Sequence, residues 1–191
     1  MSQSPDCGRS QLLLIDVQER LLPAMSDANA TVDAQRILLE AAHCLEVPLT
    51  VSEQYVSGLG PTIEPLRALT ASSVVLEKRH FSCQSDEALA ARIKDLADRS
   101  GRDQLVIAGI EAHVCVLLTA LECQRDGLDV HIVADAVTSR SLQDVALGLA
   151  RAADAGIACW PLESLLFGWC HSSTHPQFKA VSALVRDRVR S

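Results

Sequence analysis

The chain has 191 residues, 48% hydrophobic and 21% charged, with a formal net charge of −7 and only 3% aromatics. That length suits a single domain over 1–191 whose core is built mainly from Leu, Val, Ile and Ala. An acidic chain without a basic run is a poor nucleic-acid partner, no apolar stretch approaches the roughly 20 residues of a membrane helix, and the polar segment 1–10 holds no apolar signal segment; a cytoplasmic protein with neither partner is expected.

After the polar tail, Leu12–Ile15 is a continuous apolar run, which predicts a buried strand. Helical spacing follows over Val32–Leu45, then a second strand over Pro48–Val51. Residues 54–65 form a long irregular stretch rich in Gly and Pro, either a functional loop or a plain surface connection. Val74–Leu76 predicts strand three, Glu87–Leu96 a helix, and Leu105–Ala108 strand four, closed by Gly109. Val114–Arg125 has helical spacing and Gly127 ends it. Val130–Ala134 predicts strand five; Ser141 opens another helix, with Asp144 completing a capping box. Ile157–Trp160 predicts strand six, and a last helix is expected over Gln177–Arg190. Alternating strands and helices with long crossovers imply an α/β fold, three-layer and doubly wound, with a mostly parallel sheet.

Seven cysteines, an odd number with no CxxC pair, argue against a disulfide framework and against structural zinc. Open α/β sheets bind ligands at the carboxyl ends of their strands. Those ends carry Asp16 and Gln18; Glu53, Gln54 and Tyr55; Glu77, Lys78, Arg79 and His80; Gly109 with Glu111, His113 and Cys115 after it; and Asp135. Cys115 lies six residues past Gly109, in the first turn or so of a helix, where orphan amides and the helix dipole favour a thiolate. Lys78 is placed to favour the anion, and Asp16 to take the proton. Each also has a plain structural reading. Cys115 fits a core position, Asp16 a cap, Lys78 a solvated charge, Asp135 a turn, and His80 and His113 pocket walls or satisfied polar groups.

Leu14-Ile15-Asp16-Val17-Gln18, Glu77-Lys78-Arg79-His80-Phe81-Ser82 and Gly109-Ile110-Glu111-Ala112-His113-Val114-Cys115-Val116 resemble, in order, the three signatures of isochorismatase-like hydrolases. Segments around Ser52–Tyr55, Gly58–Thr62, Ala134–Ala136, Ser139–Ser141 and His175–Lys179 resemble its isochorismatase-domain-containing branch, so the likeness spans nearly the whole chain. The resemblance implies a six-stranded parallel sheet, a catalytic set of Asp16, Lys78 and Cys115, and a cis peptide between Ile110 and Glu111. Amides of Glu111 and Cys115 would then form an oxyanion hole. It also implies a homo-oligomer, for which the apolar segment Leu162–Trp169 is a candidate interface; packing under the last helix is the alternative.

Nicotinamidases of the superfamily carry an Asp/His metal cluster after strand two; this chain has no His between Leu45 and Arg79, so no metal and no cofactor is expected. The isochorismate-cleaving members need no cysteine, so Cys115 points to acyl chemistry instead. The expected activity is cysteine-dependent hydrolysis of a small amide, carbamoyl or related acyl substrate, with Gln18, Gln54, Tyr55, His80 and Phe81 lining the pocket and Lys78 and the two amides stabilising developing charge. Cation and dipole are expected to outweigh Asp16, making Cys115 the hyper-reactive thiol. Cys44, Cys123 and Cys159 should lie in the core and Cys7 on the surface. Two rivals remain: a non-catalytic interaction protein that has kept the fold, and a nucleotide-binding module, disfavoured because neither GxGxxG nor GxxxxGK[ST] occurs.

Overall fold

A computed structural model describes residues 4–188. Six strands, β1 (Ser10–Ile15), β2 (Leu49–Gln54), β3 (Val74–Lys78), β4 (Gln104–Ile110), β5 (Asp129–Thr138) and β6 (Ala158–Trp160), form one sheet in the order β3-β2-β1-β4-β5-β6. Every pairing between them is parallel. Helices α1 (Ala28–Cys44), α2 (Val56–Leu59), α3 (Glu64–Arg67), α4 (Glu87–Ser100), α5 (Leu117–Arg125), α6 (Leu142–Asp154), α7 (Leu162–Cys170) and α8 (Phe178–Arg186) connect or follow the strands.

The period-two alternation of β1 builds both faces of the core. Leu12 and Leu14 pack with Ile37, Leu38, Leu165, Trp169 and Val181, from α1, α7 and α8. Leu13 and Ile15 pack with Leu89, Ile93, Val116, Ala120 and Ala152, on the side of α4, α5 and α6. Each fully buried leucine stabilises the fold by about 1.5–3 kcal/mol, which is how a chain so poor in aromatics holds together.

The expected three-layer α/β architecture is the one observed, and four details differ. β1 begins at Ser10, inside the stretch read as a tail, because Arg9 pairs with Asp103 at 2.7 Å and fastens that end to β4. β5 is longer than expected: its register against β4 shifts between Ile107 and Gly109, a bulge that absorbs extra residues. Asp135 therefore sits within β5 rather than past it, accepting the Leu162 amide at 2.8 Å and pairing with Arg188 at 2.6 Å. The apolar segment Leu162–Trp169 is helix α7, and Leu162, Leu165, Leu166 and Trp169 are buried in this chain's own core, so it is not available as an interface between copies. The last helix ends at Arg186; positions 189–190 of its expected span lie outside the described residues.

The Ser141 cap is present, its Oγ accepting the Asp144 amide at 3.1 Å, while the Asp144 carboxylate accepts the Ser141 hydroxyl rather than its amide. Among the described residues no helix is long and apolar enough to cross a membrane.

The sheet order decides where chemistry can sit. The connection reverses direction between β1 and β4, and the crevice of a doubly wound sheet opens at that point, at the carboxyl ends. Gly109 lets the two strands close there. Its φ is +127°, and a Cβ would lie 2.1 Å from the Ile15 carbonyl oxygen, so a side chain would push against the backbone immediately before Asp16.

Candidate active site

β3, β2, β1 and β4 are consecutive neighbours, so the residues at their carboxyl ends converge. Asp16 follows β1 in a left-handed conformation, φ 54°, its amide donating to the Ser52 carbonyl at 3.0 Å. Its side chain is fully buried. One carboxylate oxygen accepts the Ser52 hydroxyl at 2.7 Å, and the other lies 2.7 Å from Lys78 Nζ. Lys78, the last residue of β3, is also fully buried. Its ammonium donates further to Gln54 Oε1 at 2.6 Å and to the carbonyls of His80 and Phe81, each at 3.2 Å. Those are four acceptors for three N–H bonds.

Cys115 lies in a turn of π-helix, Ala112–Val116, that leads directly into α5. It is buried, and its thiol faces the charges of Asp16 and Lys78. The Ile110–Glu111 peptide just before this turn is cis. Around it, the Glu111 carboxylate pairs with Arg140 at 3.2 Å, and His113 Nδ1 lies 2.9 Å from the hydroxyl of Ser139.

Electrostatics differ from the sequence expectation. Burial pushes the Cys115 thiol up, the Asp16 carboxylate pushes the same way, and Lys78 pulls down by less, so the thiol sits at about 12. The cation does not win, because burial and Asp16 together outweigh it; Lys78 is shared with Asp16 and its caging carbonyls. Burial also raises Asp16, more than Lys78 and Ser52 lower it, which makes it more basic than an ordinary aspartate. Lys78 is pulled down by burial, but the negative charge facing it, Asp16 foremost, more than offsets this and keeps it charged. The resting state is therefore a thiol beside a carboxylate.

Of the residues expected to line a pocket, Gln18 does not. It is buried and fully engaged: its Oε1 accepts the Gln54 amide at 2.7 Å, and its Nε2 donates to the carbonyls of Gln54 and Gly60 at 2.9 and 2.6 Å. Gln54 belongs to the lysine cage, with its Nε2 on the Arg79 carbonyl at 3.0 Å. Tyr55 and Phe81 are exposed (45% and 61%), as is His80, and Arg79 stacks 4.3 Å over the Tyr55 ring. Sequence reasoning missed Ser52 as the second partner of Asp16; a polar residue at the buried end of an apolar strand was the available signal. Cys7 is half-buried against the core, not free on the surface, and Cys44 and Cys159 are likewise only partly buried. Among the described residues no group of three or more His, Cys, Asp or Glu is arranged to hold a metal ion.

With this geometry in view, residues 10–164 match the Isochorismatase domain family. The chain belongs to that family. Isochorismatase domain-containing protein 1 of Danio rerio is 38% identical over 171 residues, covering 90% of this chain, which spans only 59% of that relative's length. A Caenorhabditis elegans structure described as a MAR1 ribonuclease superposes with a TM-score of 0.90 at 30% identity, covering 99% of this chain and 95% of that one. The YcaC gene product of Escherichia coli, described as an octameric hydrolase of unknown specificity, superposes with a TM-score of 0.89 at 20% identity over 97% of this chain and 91% of that one, a likeness of fold. Membership in the isochorismatase family supports a hydrolase-type function.

The order of electrostatic effects has a direct consequence. At pH 7 Cys115 should alkylate slowly with iodoacetamide, since almost none of it is thiolate. Asp16→Asn removes the opposing charge and frees Lys78 to act on sulfur, so Cys115 labelling should rise at least tenfold, read by peptide mass mapping. Labelling of the wild-type Cys115 that is already fast at pH 6, or slower in the variant, would contradict the assignment.

Proposed function

We propose that the chain is a cysteine hydrolase that cleaves a small amide, carbamoyl or related acyl substrate through a thioester on Cys115. The observation that carries this reading is the Cys115 thiol beside a fully buried carboxylate that Ser52 and Lys78 hold in place at 2.7 Å each. A purely structural cysteine has no need of such a partner.

Asp16 takes the thiol proton as sulfur forms its bond to the carbonyl carbon. The protonated Asp16 then gives that proton to the leaving amine as the carbon–nitrogen bond breaks, leaving the thioester. Asp16 next takes a proton from water, whose oxygen attacks the thioester; the acid leaves and sulfur recovers its proton. Amides of Glu111 and Cys115 are assigned to the developing oxyanion. Lys78, saturated by its four acceptors, is assigned to orienting Asp16 and balancing its charge rather than to touching the substrate. A ribonuclease, as the worm neighbour is described, is a poorer reading for a chain of net charge −7.

The octameric YcaC neighbour supports a homo-oligomer for this chain also. With α7 buried, the surface that suits a second copy is formed by α5 and α6, where Leu118, Leu142 and Leu147 are 39%, 59% and 61% exposed. Light scattering should return a multiple of the chain mass, and Leu147→Asp should lower it; a monomer at all concentrations would exclude assembly.

The catalytic reading is tested by screening purified protein against small amides and carbamoyl compounds, with intact-mass detection of an acyl adduct. Cys115→Ala should lose all turnover, and Asp16→Asn should lose at least about 10²-fold while remaining folded. Near-full activity in either variant would overturn the mechanism, and a complete lack of turnover or adduct would favour an interaction protein.

A further inference from the structure

The loop that follows β3 supplies two of the four acceptors around Lys78, the carbonyls of His80 and Phe81. A loop carbonyl is a useful ligand only if the loop is held still, and Phe81, 61% exposed, contributes little packing to hold it. The fastening comes from the next residues. Ser82 and Ser85 both donate their hydroxyls to Glu122 Oε2, at 2.6 and 2.9 Å. Between them, the Cys83 amide donates to Thr119 Oγ1 at 2.9 Å, and Gln84 Nε2 donates to Asp126 at 2.8 Å. Thr119 and Glu122 lie on α5, the helix that continues from the turn bearing Cys115, and Asp126 follows its end.

We infer that Glu122 is a positioning residue for the catalytic site. By clamping Ser82 and Ser85 to α5, it fixes the His80 and Phe81 carbonyls on Lys78 and thereby sets how much of the lysine's charge reaches Asp16 and Cys115. This rests on the reading of Cys115 and Asp16 as the reactive pair. Charged hydrogen bonds of this length are among the stronger ones, and both hydroxyls converge on a single carboxylate oxygen, so one side chain holds the loop at both Ser82 and Ser85. With the clamp released, the two carbonyls withdraw, Lys78 gives its charge more fully to its remaining neighbours, and the Cys115 proton is held less tightly.

The test is a double-mutant cycle read on Cys115 alkylation by iodoacetamide at pH 8. Glu122→Ala should speed labelling about tenfold in the wild-type background, corresponding to about one pKa unit. In the Lys78→Gln background, where the charge that the loop carbonyls hold is gone, the same change should have little effect. Glu122→Gln, which keeps an oxygen to accept both hydroxyls, should stay near wild type, and Ser82→Ala with Ser85→Ala should reproduce Glu122→Ala. The serine pair also carries the test should Glu122→Ala fail to fold. An unchanged rate in the wild-type background, or an equal increase in both backgrounds, which is the mark of mere access, would overturn the inference. Because the readout is the thiol rather than turnover, Cys115-dependent hydrolysis alongside an unmoved thiol counts against Glu122 alone.

Discussion

Lys78 and Asp16 meet at 2.7 Å with both side chains fully removed from solvent, and the rest of the site is organised around tolerating that. Bringing two charges into a core costs several kcal/mol per ion, recovered only if geometry is good and every remaining polar valence is filled. Here it is filled by two segments, Ser52 and Gln54 from β2 and the carbonyls of His80 and Phe81 after β3, with the thiol of Cys115 after β4 alongside. Those segments are in turn tied together, by Gln18 across Gln54 and Gly60, by Arg79 on Tyr55, and by Glu122 beneath the loop at Ser82–Ser85. Removing one member of such a pair costs about 3–5 kcal/mol, because the other is left charged and alone.

The pair also fixes the chemical character of the proposed nucleophile. A cysteine activated by a free cation rests as a thiolate; a cysteine facing a carboxylate whose cation is already occupied rests as a thiol. On the proposed mechanism the proton moves only when sulfur begins to bond to carbon, and Asp16, made more basic by burial, receives it. Such a nucleophile is shielded from adventitious alkylation and oxidation, both of which require the anion. Cys83, buried beside the same ions and raised to about 11, is quiet for the same reasons.

Much of the architecture was legible in the sequence because strands fully buried on both faces read as unbroken apolar runs; Leu12–Ile15 and Leu105–Ala108 are such runs, and both were located to within two residues at each end. The gathering of Asp16, Lys78 and Cys115 was legible from strand-end position and from motif resemblance together. What was not legible depended on three-dimensional surroundings. Leu162–Trp169 is apolar in a way that suits either an interface or the core, and only the fold shows α7 covering the sheet. Gln18 and Gln54 are equally polar in sequence, yet one is a buried clamp and the other a ligand of the lysine. The balance on Cys115 was misjudged because burial, the largest influence on its thiol, cannot be read from residue types, and because the sequence does not reveal that Lys78 is already shared among four acceptors.

The central claim is that the proposed nucleophile rests as a protonated thiol beside Asp16. Infrared difference spectroscopy of the wild-type protein against Cys115→Ala at pH 7 tests it without any substrate. The account predicts an S–H stretching band that is lost in the variant, accompanied by a shift in the Asp16 carboxylate band when its neighbouring thiol disappears. No S–H band assignable to Cys115 at that pH would mean that the resting sulfur is a thiolate, and would contradict the account.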